Sequence, residues 1–160
     1  MKTCQLIGLL GVLAIWTTPS SADTREEVDM LLCLAADVSE SVTKQEYQLQ
    51  REGHAAAISD PQVVEVIRAG LRGKIAATYM EWAKQDQQHL GVDWQVIADD
   101  GSATEFSRKV SRSSMPPWIK NGVRNTSTSQ AIRYCMDHFT SAPVRADKWV
   151  IDISSDGTNN

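Results

Sequence analysis

The chain has 160 residues, 42% of them apolar and 22% charged, with 9 Gly and 5 Pro, which excludes collagen-like, low-complexity and disordered classes. Sixteen Lys and Arg against 20 Asp and Glu leave a net charge of −4 without a strongly basic run, so a nucleic-acid partner, which needs a cationic face, is not expected. Three cysteines are too few for a disulfide scaffold.

Met1-Lys2-Thr3 is a short cationic start, Leu6–Trp16 is uncharged and mostly apolar, and Ser20-Ser21-Ala22 places small residues before a cut after Ala22. This is the pattern of a secretory signal peptide over residues 1–22. Its apolar run falls well short of the ~20 residues a membrane-spanning helix needs. Cys4 precedes the apolar run and does not read as a lipidation site. The mature chain is therefore expected to be Asp23–Asn160, periplasmic or secreted, with no membrane span after cleavage. Loss of Lys2 takes its charge from −4 to −5. Export would put Cys33 and Cys135 in an oxidising compartment, where thiols pair. The plainer expectation is two separate buried thiols, because a sequence does not place their Cα atoms.

Val28–Ala36 is nearly continuous apolar sequence and predicts a central strand covered on both faces. Thr43-Lys44-Gln45-Glu46 is a capping box that opens a helix to about Ser59. Asp60-Pro61 starts a second helix through Ala69. Lys74–Trp82 predicts a strand, and polar Gln85–Gly91 connects it to an edge strand over Val92–Ala98. Ser102-Ala103-Thr104-Glu105 predicts the start of a helix that ends near Ser111. Arg112–Asn125, with Pro116, Pro117 and Gly122, is a loop. Thr128–Thr140 places Ile132, Cys135, Met136 and Phe139 on one helical stripe. Trp149–Ile153 predicts the last strand. Alternating strands and helices with apolar central strands define an α/β class in one domain.

Three segments lie where predicted strands end or helices begin: Asp37-Val38-Ser39-Glu40-Ser41, Thr126-Ser127-Thr128 and Ser155-Asp156-Gly157. In open parallel sheets, ligands bind outside the carboxyl ends of the strands. The segments offer carboxylates and hydroxyls without His or Cys, a donor set that suits Mg²⁺ or Mn²⁺ better than Zn²⁺. Taken singly, Ser41 or Thr43 also suits a cap of the first helix, and Thr126 or Thr128 a cap of the later one.

Asp37-x-Ser39-x-Ser41, the T-x-T-x-x-A-I stretch headed by Thr126, and Ser155-Asp156-Gly157 together resemble the von Willebrand factor A-type domain over essentially the whole mature chain. Tyr47–Gly53, Tyr79-Met80-Glu81-Trp82 and Asp156–Asn160 are similar to an exported bacterial subgroup of unassigned function. The resemblance implies a three-layer, doubly wound, mainly parallel sheet with one antiparallel edge strand. It also implies a metal-ion-dependent adhesion site in which Asp37, Ser39, Ser41, Thr126 and Asp156 hold the cation. One coordination position would then receive an Asp or Glu carboxylate from a protein or peptide partner, so the expected function is binding and not catalysis. A-type domains continue past this point. The chain is thus expected to be a C-terminally incomplete, marginally stable domain with Trp149–Ile153 as an uncovered apolar edge.

Two other functions use the same oxygen cluster: a metal-dependent hydrolase with Glu40 as base, or a structural domain with an empty site. Asp152–Gly157 imitates the opening of an EF-hand loop, but Val150, Ile151 and Ile153 read as strand and not as flanking helix. No G-x-S-x-G elbow is present, and His54 and His138 fall within helices where packing is the expected role. Asn125-Thr126-Ser127 matches a glycosylation sequon whose glycan would obstruct the site. Trp82, Trp94 and Trp149 are expected in core or edge-strand packing.

Overall fold

The computed structural model describes residues 23–39, 43–119 and 126–155. β1 (Leu31–Asp37) is apolar without alternation because both of its faces are covered. Leu34 and Ala36 enter one core, while Leu31, Cys33 and Ala35 enter the other. α1 (Lys44–Ile58) opens on the expected capping box: Thr43 Oγ1 accepts the Glu46 N–H at 3.2 Å, and Glu46 Oε2 accepts the Thr43 N–H at 2.7 Å. α2 (Pro61–Arg68) begins with proline behind Asp60, whose carboxylate accepts the Gln62 N–H. β2 (Ile75–Trp82) is buried along its whole length.

β3 (Gln88–Ile97) starts four residues earlier than Val92, the start expected from alternation. Gln88, His89 and Leu90 are paired with Trp82, Glu81 and Met80, so cross-strand hydrogen bonding overrides their polarity. Gly91 lets the strand pass close to its neighbours, since a Cβ there would lie 2.9 Å from Tyr79 Cδ1. α3 (Asp100–Arg112) also starts early. Its cap is Asp99, whose Oδ1 accepts the Ser102 N–H at 2.7 Å, and the Ser102–Glu105 box is not used.

α4 (Thr128–Thr140) has the expected bounds but a rotated face. Ala131, Cys135 and Phe139 are buried, whereas Ile132 and Met136 are exposed. Spacing of four along the helix puts the first three on one line, and Ile132 and Met136 sit one residue past it. β4 (Trp149–Ser154) follows as expected, with Asp152 facing solvent.

The sheet order is β3-β2-β1-β4, with β1 parallel to β2 and β4, and β3 antiparallel to β2. Residues of α1, α2 and α3 pack on one face around Tyr79 and Phe106, and α4 packs on the other around Phe139 and Trp82. Burying an aromatic ring such as Phe106 or Phe139 contributes about 2–3 kcal/mol. The architecture is the expected α/β arrangement of three layers with one antiparallel edge strand. Among the described residues, no helix is long and apolar enough to cross a membrane.

Cys33 and Cys135 are joined in a disulfide with a Cα–Cα distance of 6.1 Å, which corrects the expectation of separate thiols. The bond forms because both side chains enter the same core, one from β1 and one from the buried line of α4.

Candidate functional site

From β1 the chain moves outward through β2 to β3 and then returns, through α3 and α4, to place β4 on the other side of β1, so the strand order reverses at β1. That is a topological switch point, the place where open α/β sheets form a ligand crevice. Asp37 is the last residue of β1, aligned with Trp82 at the end of β2. Its side chain is completely buried. Oδ1 accepts the Ser39 N–H at 2.8 Å and Oδ2 accepts the Ser155 hydroxyl at 2.6 Å. Ser155 directly follows β4, so this bond ties two strand ends together.

The end of β2 gathers the other segments. Its carbonyls at Trp82 and Ala83 accept the N–H groups of Val38 and Ser127, at 2.8 and 2.9 Å. Thr126 is thereby held at the mouth of α4, next to the turn after β1, and both Ser39 and Thr126 are buried. Ser127 is the N-cap residue of α4 and its side chain makes no capping bond. The capping role considered for Thr126 or Thr128 is therefore not the one observed, while Thr43 does cap α1. Ser41, Asp156 and Glu40 lie outside the described residues, as does the Asn125 sequon. Of the five expected ligands, the structure brings Asp37, Ser39 and Thr126 to one end of the sheet and adds Ser155.

A buried ionised carboxylate needs a countercharge, a metal or a dense set of hydrogen bonds. Among the described residues no Lys, Arg or His forms an ion pair with Asp37, and no group of three His, Cys, Asp and Glu side chains is placed for a metal. A cation here must rely on mixed carboxylate and hydroxyl oxygens, the chemistry of a hard ion. The residues present fit such an ion in donor type.

The histidines do not form a catalytic set. His54 Nδ1 lies 2.8 Å from the Gln50 carbonyl, His89 Nε2 lies 3.1 Å from the Ser114 carbonyl, and His138 stacks on Trp94 with 5.1 Å between centroids.

A second polar cluster sits beside the strand ends. Glu81 on β2 is completely buried among Arg51 and Tyr47 of α1 and Tyr79 of its own strand. Its Oε1 accepts Arg51 Nη2 at 2.6 Å, Arg51 Nε at 3.1 Å and the Tyr79 hydroxyl at 3.0 Å, while Oε2 accepts the Tyr47 hydroxyl at 3.3 Å. Arg51 Nη2 also bonds Tyr47 Oη, and Nη1 donates to the Ser113 carbonyl at 2.8 Å. Burial pushes the Glu81 carboxyl up, and the Arg51 charge opposes that shift. Burial and the nearby carboxylate push Tyr79 up as well. In the sequence these residues lie in Tyr47–Gly53 and Tyr79–Trp82, two of the segments similar to the exported subgroup. A glutamate inside the otherwise apolar IAATYMEW run was the available signal of a buried partner.

Solved structures share this fold. The vWF domain of a type V pili tip protein from Porphyromonas gingivalis superposes with a TM-score of 0.51 at 13% identity, covering 83% of this chain and 39% of that one. Three N-terminal domains of the same tip protein give a TM-score of 0.52 at 14% identity, covering 82% and 20%. The pilus adhesin SpaC from Lactobacillus rhamnosus GG gives 0.55 at 10% identity, covering 84% and 16%. This chain therefore spans well under half the length of each of these neighbours. At these identities the likeness defines the class of fold, a von Willebrand factor A-like α/β domain. No curated protein matches the chain in sequence. The family "Protein of unknown function (DUF1194)" matches residues 27–160, and the chain belongs to that family.

Proposed function

We propose that the chain is an exported, metal-dependent protein-binding domain of adhesion type. Asp37, Ser39, Ser41, Thr126 and Asp156 hold Mg²⁺ or Mn²⁺, and one position is left for an Asp or Glu carboxylate of a protein or peptide partner. The observation that carries this reading is Asp37, a fully buried carboxylate at the switch point that accepts the Ser39 N–H and the Ser155 hydroxyl and has no cationic partner among the described residues. A cation with unfilled coordination at a crevice is a carboxylate receptor whose affinity vanishes with the metal. Capture of a carboxylate breaks no bond, so the protein is a binding device and not an enzyme. The adhesin and pilus-tip neighbours support the adhesion-type role. The leader over residues 1–22 supports a periplasmic or secreted location, and the Cys33–Cys135 bond suits the oxidising conditions found there.

Thermal melts with Mg²⁺, Mn²⁺ or chelator test the site. A cation at a hundredfold excess over Kd adds about 2.7 kcal/mol to the wild type. Asp37→Asn keeps the shape but removes the charge, so its melt does not respond to metal. Equal shifts in both proteins, or none in the wild type, would refute the metal site.

A further inference from the structure

We infer that Glu81, Arg51 and Tyr47 are positioning residues for the strand-end site: they fix the front of α1 against the ends of β2 and β4, the strands that flank the Asp37 end of β1. This rests on the metal-binding reading above. The buried residues of α1 divide in two: Ala55 and Ile58 supply apolar packing in the rear half, whereas the front half buries only Tyr47 and Arg51. The side-chain hydrogen bonds of those two front residues to other parts of the fold go to Glu81 and to the Ser113 carbonyl. Gln50, between them, donates to Ser154 Oγ at 2.7 Å, at the end of β4. The front of the helix is thus held by directional bonds to the ends of β2 and β4, while its rear is held by apolar contact.

The location of the cluster gives it a task. Glu81 is in register with Ala36, the residue before Asp37. The Tyr47 N–H bonds to the Thr43 carbonyl at 2.9 Å and closes the first turn of α1, while Gln50 reaches Ser154, the neighbour of the Ser155 that donates to Asp37. A buried carboxylate–guanidinium pair is a poor source of net stability, because desolvating each ion costs several kcal/mol and an apolar pair of equal volume often does as well. What hydrogen bonds add over apolar contact is a defined register. Groups bonded directly to metal ligands typically change metal affinity 10–100-fold when removed, and residues acting one step further out belong at the low end of that range.

The test uses the full chain, with Tyr47→Phe and the apolar double substitution Arg51→Met with Glu81→Leu. Mn²⁺ affinity is read by calorimetry, and amide hydrogen exchange is read in metal-free protein. Expected are cooperative melts near that of the wild type, Mn²⁺ binding weakened roughly tenfold, and faster exchange at the Ser39 and Tyr47 amides with the centre of β1 unchanged. Should the double variant fail to fold, Tyr47→Phe alone decides. Affinity within about twofold of wild type together with unchanged exchange overturns the positioning role. Absence of Mn²⁺ binding in the wild type instead overturns the metal reading, and the exchange at Ser39 and Tyr47 then decides the positioning role by itself.

Discussion

His138 on α4 is partly buried, stacked on Trp94 and 3.3 Å from a carboxylate oxygen of Asp93. Burial pushes its pKa below the ordinary histidine value, and Asp93 opposes that shift without cancelling it. A base whose folded pKa is depressed is more readily protonated in the unfolded chain. Its contribution is therefore complete above the unfolded value of about 6.5 and is lost as pH falls through the folded pKa. Glu81 has the opposite sense: a carboxyl raised by burial contributes below its unfolded value and loses that contribution as pH rises. Because Glu81 is present in both proteins, comparison of His138→Gln with wild type isolates the histidine. Urea titrations at pH 7.5 and 5 should show a larger loss for wild type than for His138→Gln. Parallel losses would mean that the imidazole is equally protonated in the folded and unfolded states.

At the scale of elements, the disulfide does what no single side chain does: it joins the central strand to α4 across 102 residues of sequence. Cys33 lies four residues before Asp37 and Cys135 nine after Thr126, so the bond ties two site-bearing elements through the core opposite α1. Closing a loop of that size stabilises by about 4.7 kcal/mol in the chain-entropy account, and loss of native disulfides commonly costs about 2–5 kcal/mol. The double substitution Cys33→Ala with Cys135→Ala is expected to lower urea stability within that range, and reductant to destabilise wild type while leaving the variant unmoved. A reductant-insensitive wild type would show that the thiols are unpaired. The bond was not legible in the sequence, because pairing depends on which line of α4 faces the sheet, and Ala131 rather than Ile132 sets that line. Local signals were legible where one solution dominated, as with Thr43–Glu46 and Asp60-Pro61. They failed where two competed: Asp99-x-x-Ser102 and Ser102-x-x-Glu105 both resemble caps, and Asp99 won, with Ser102 Oγ turned back to accept the Ala98 and Asp99 N–H groups. The order of the Asp37, Thr126 and Ser155 segments was legible because strand ends in a parallel sheet share one edge. The Glu81 cluster was not, since its cation comes from α1, 30 residues away.

For the whole molecule, the two edges of the sheet are unequal. β3 carries Asp93 and Gln95, and Gln95 Oε1 accepts Lys109 Nζ at 2.8 Å, so polar groups guard that side. β4 pairs with β1 alone among the described residues, and Val150, Ile151 and Ile153 are only half-buried there. Trp149 is 44% exposed, and Ile132 and Met136 of α4 add further exposed apolar surface. A strand edge with unpaired backbone and few charges is a template for pairing with a second strand. Asp152 is the lone charge within β4, too little to discourage a neighbouring copy. The chain is therefore expected to associate with itself through β4 as its concentration rises. Sedimentation equilibrium should show a weight-average mass that grows with concentration for wild type, and a smaller growth for Trp149→Lys, which places a charge at the start of that edge. A wild type that stays monomeric across the range, or a variant that associates equally, would place the hazard elsewhere or remove it. Because Trp149 begins β4 and Ser155 follows its other end, metal binding and self-association should be separable: chelator is expected to change the melt without changing the sedimentation of Trp149→Lys.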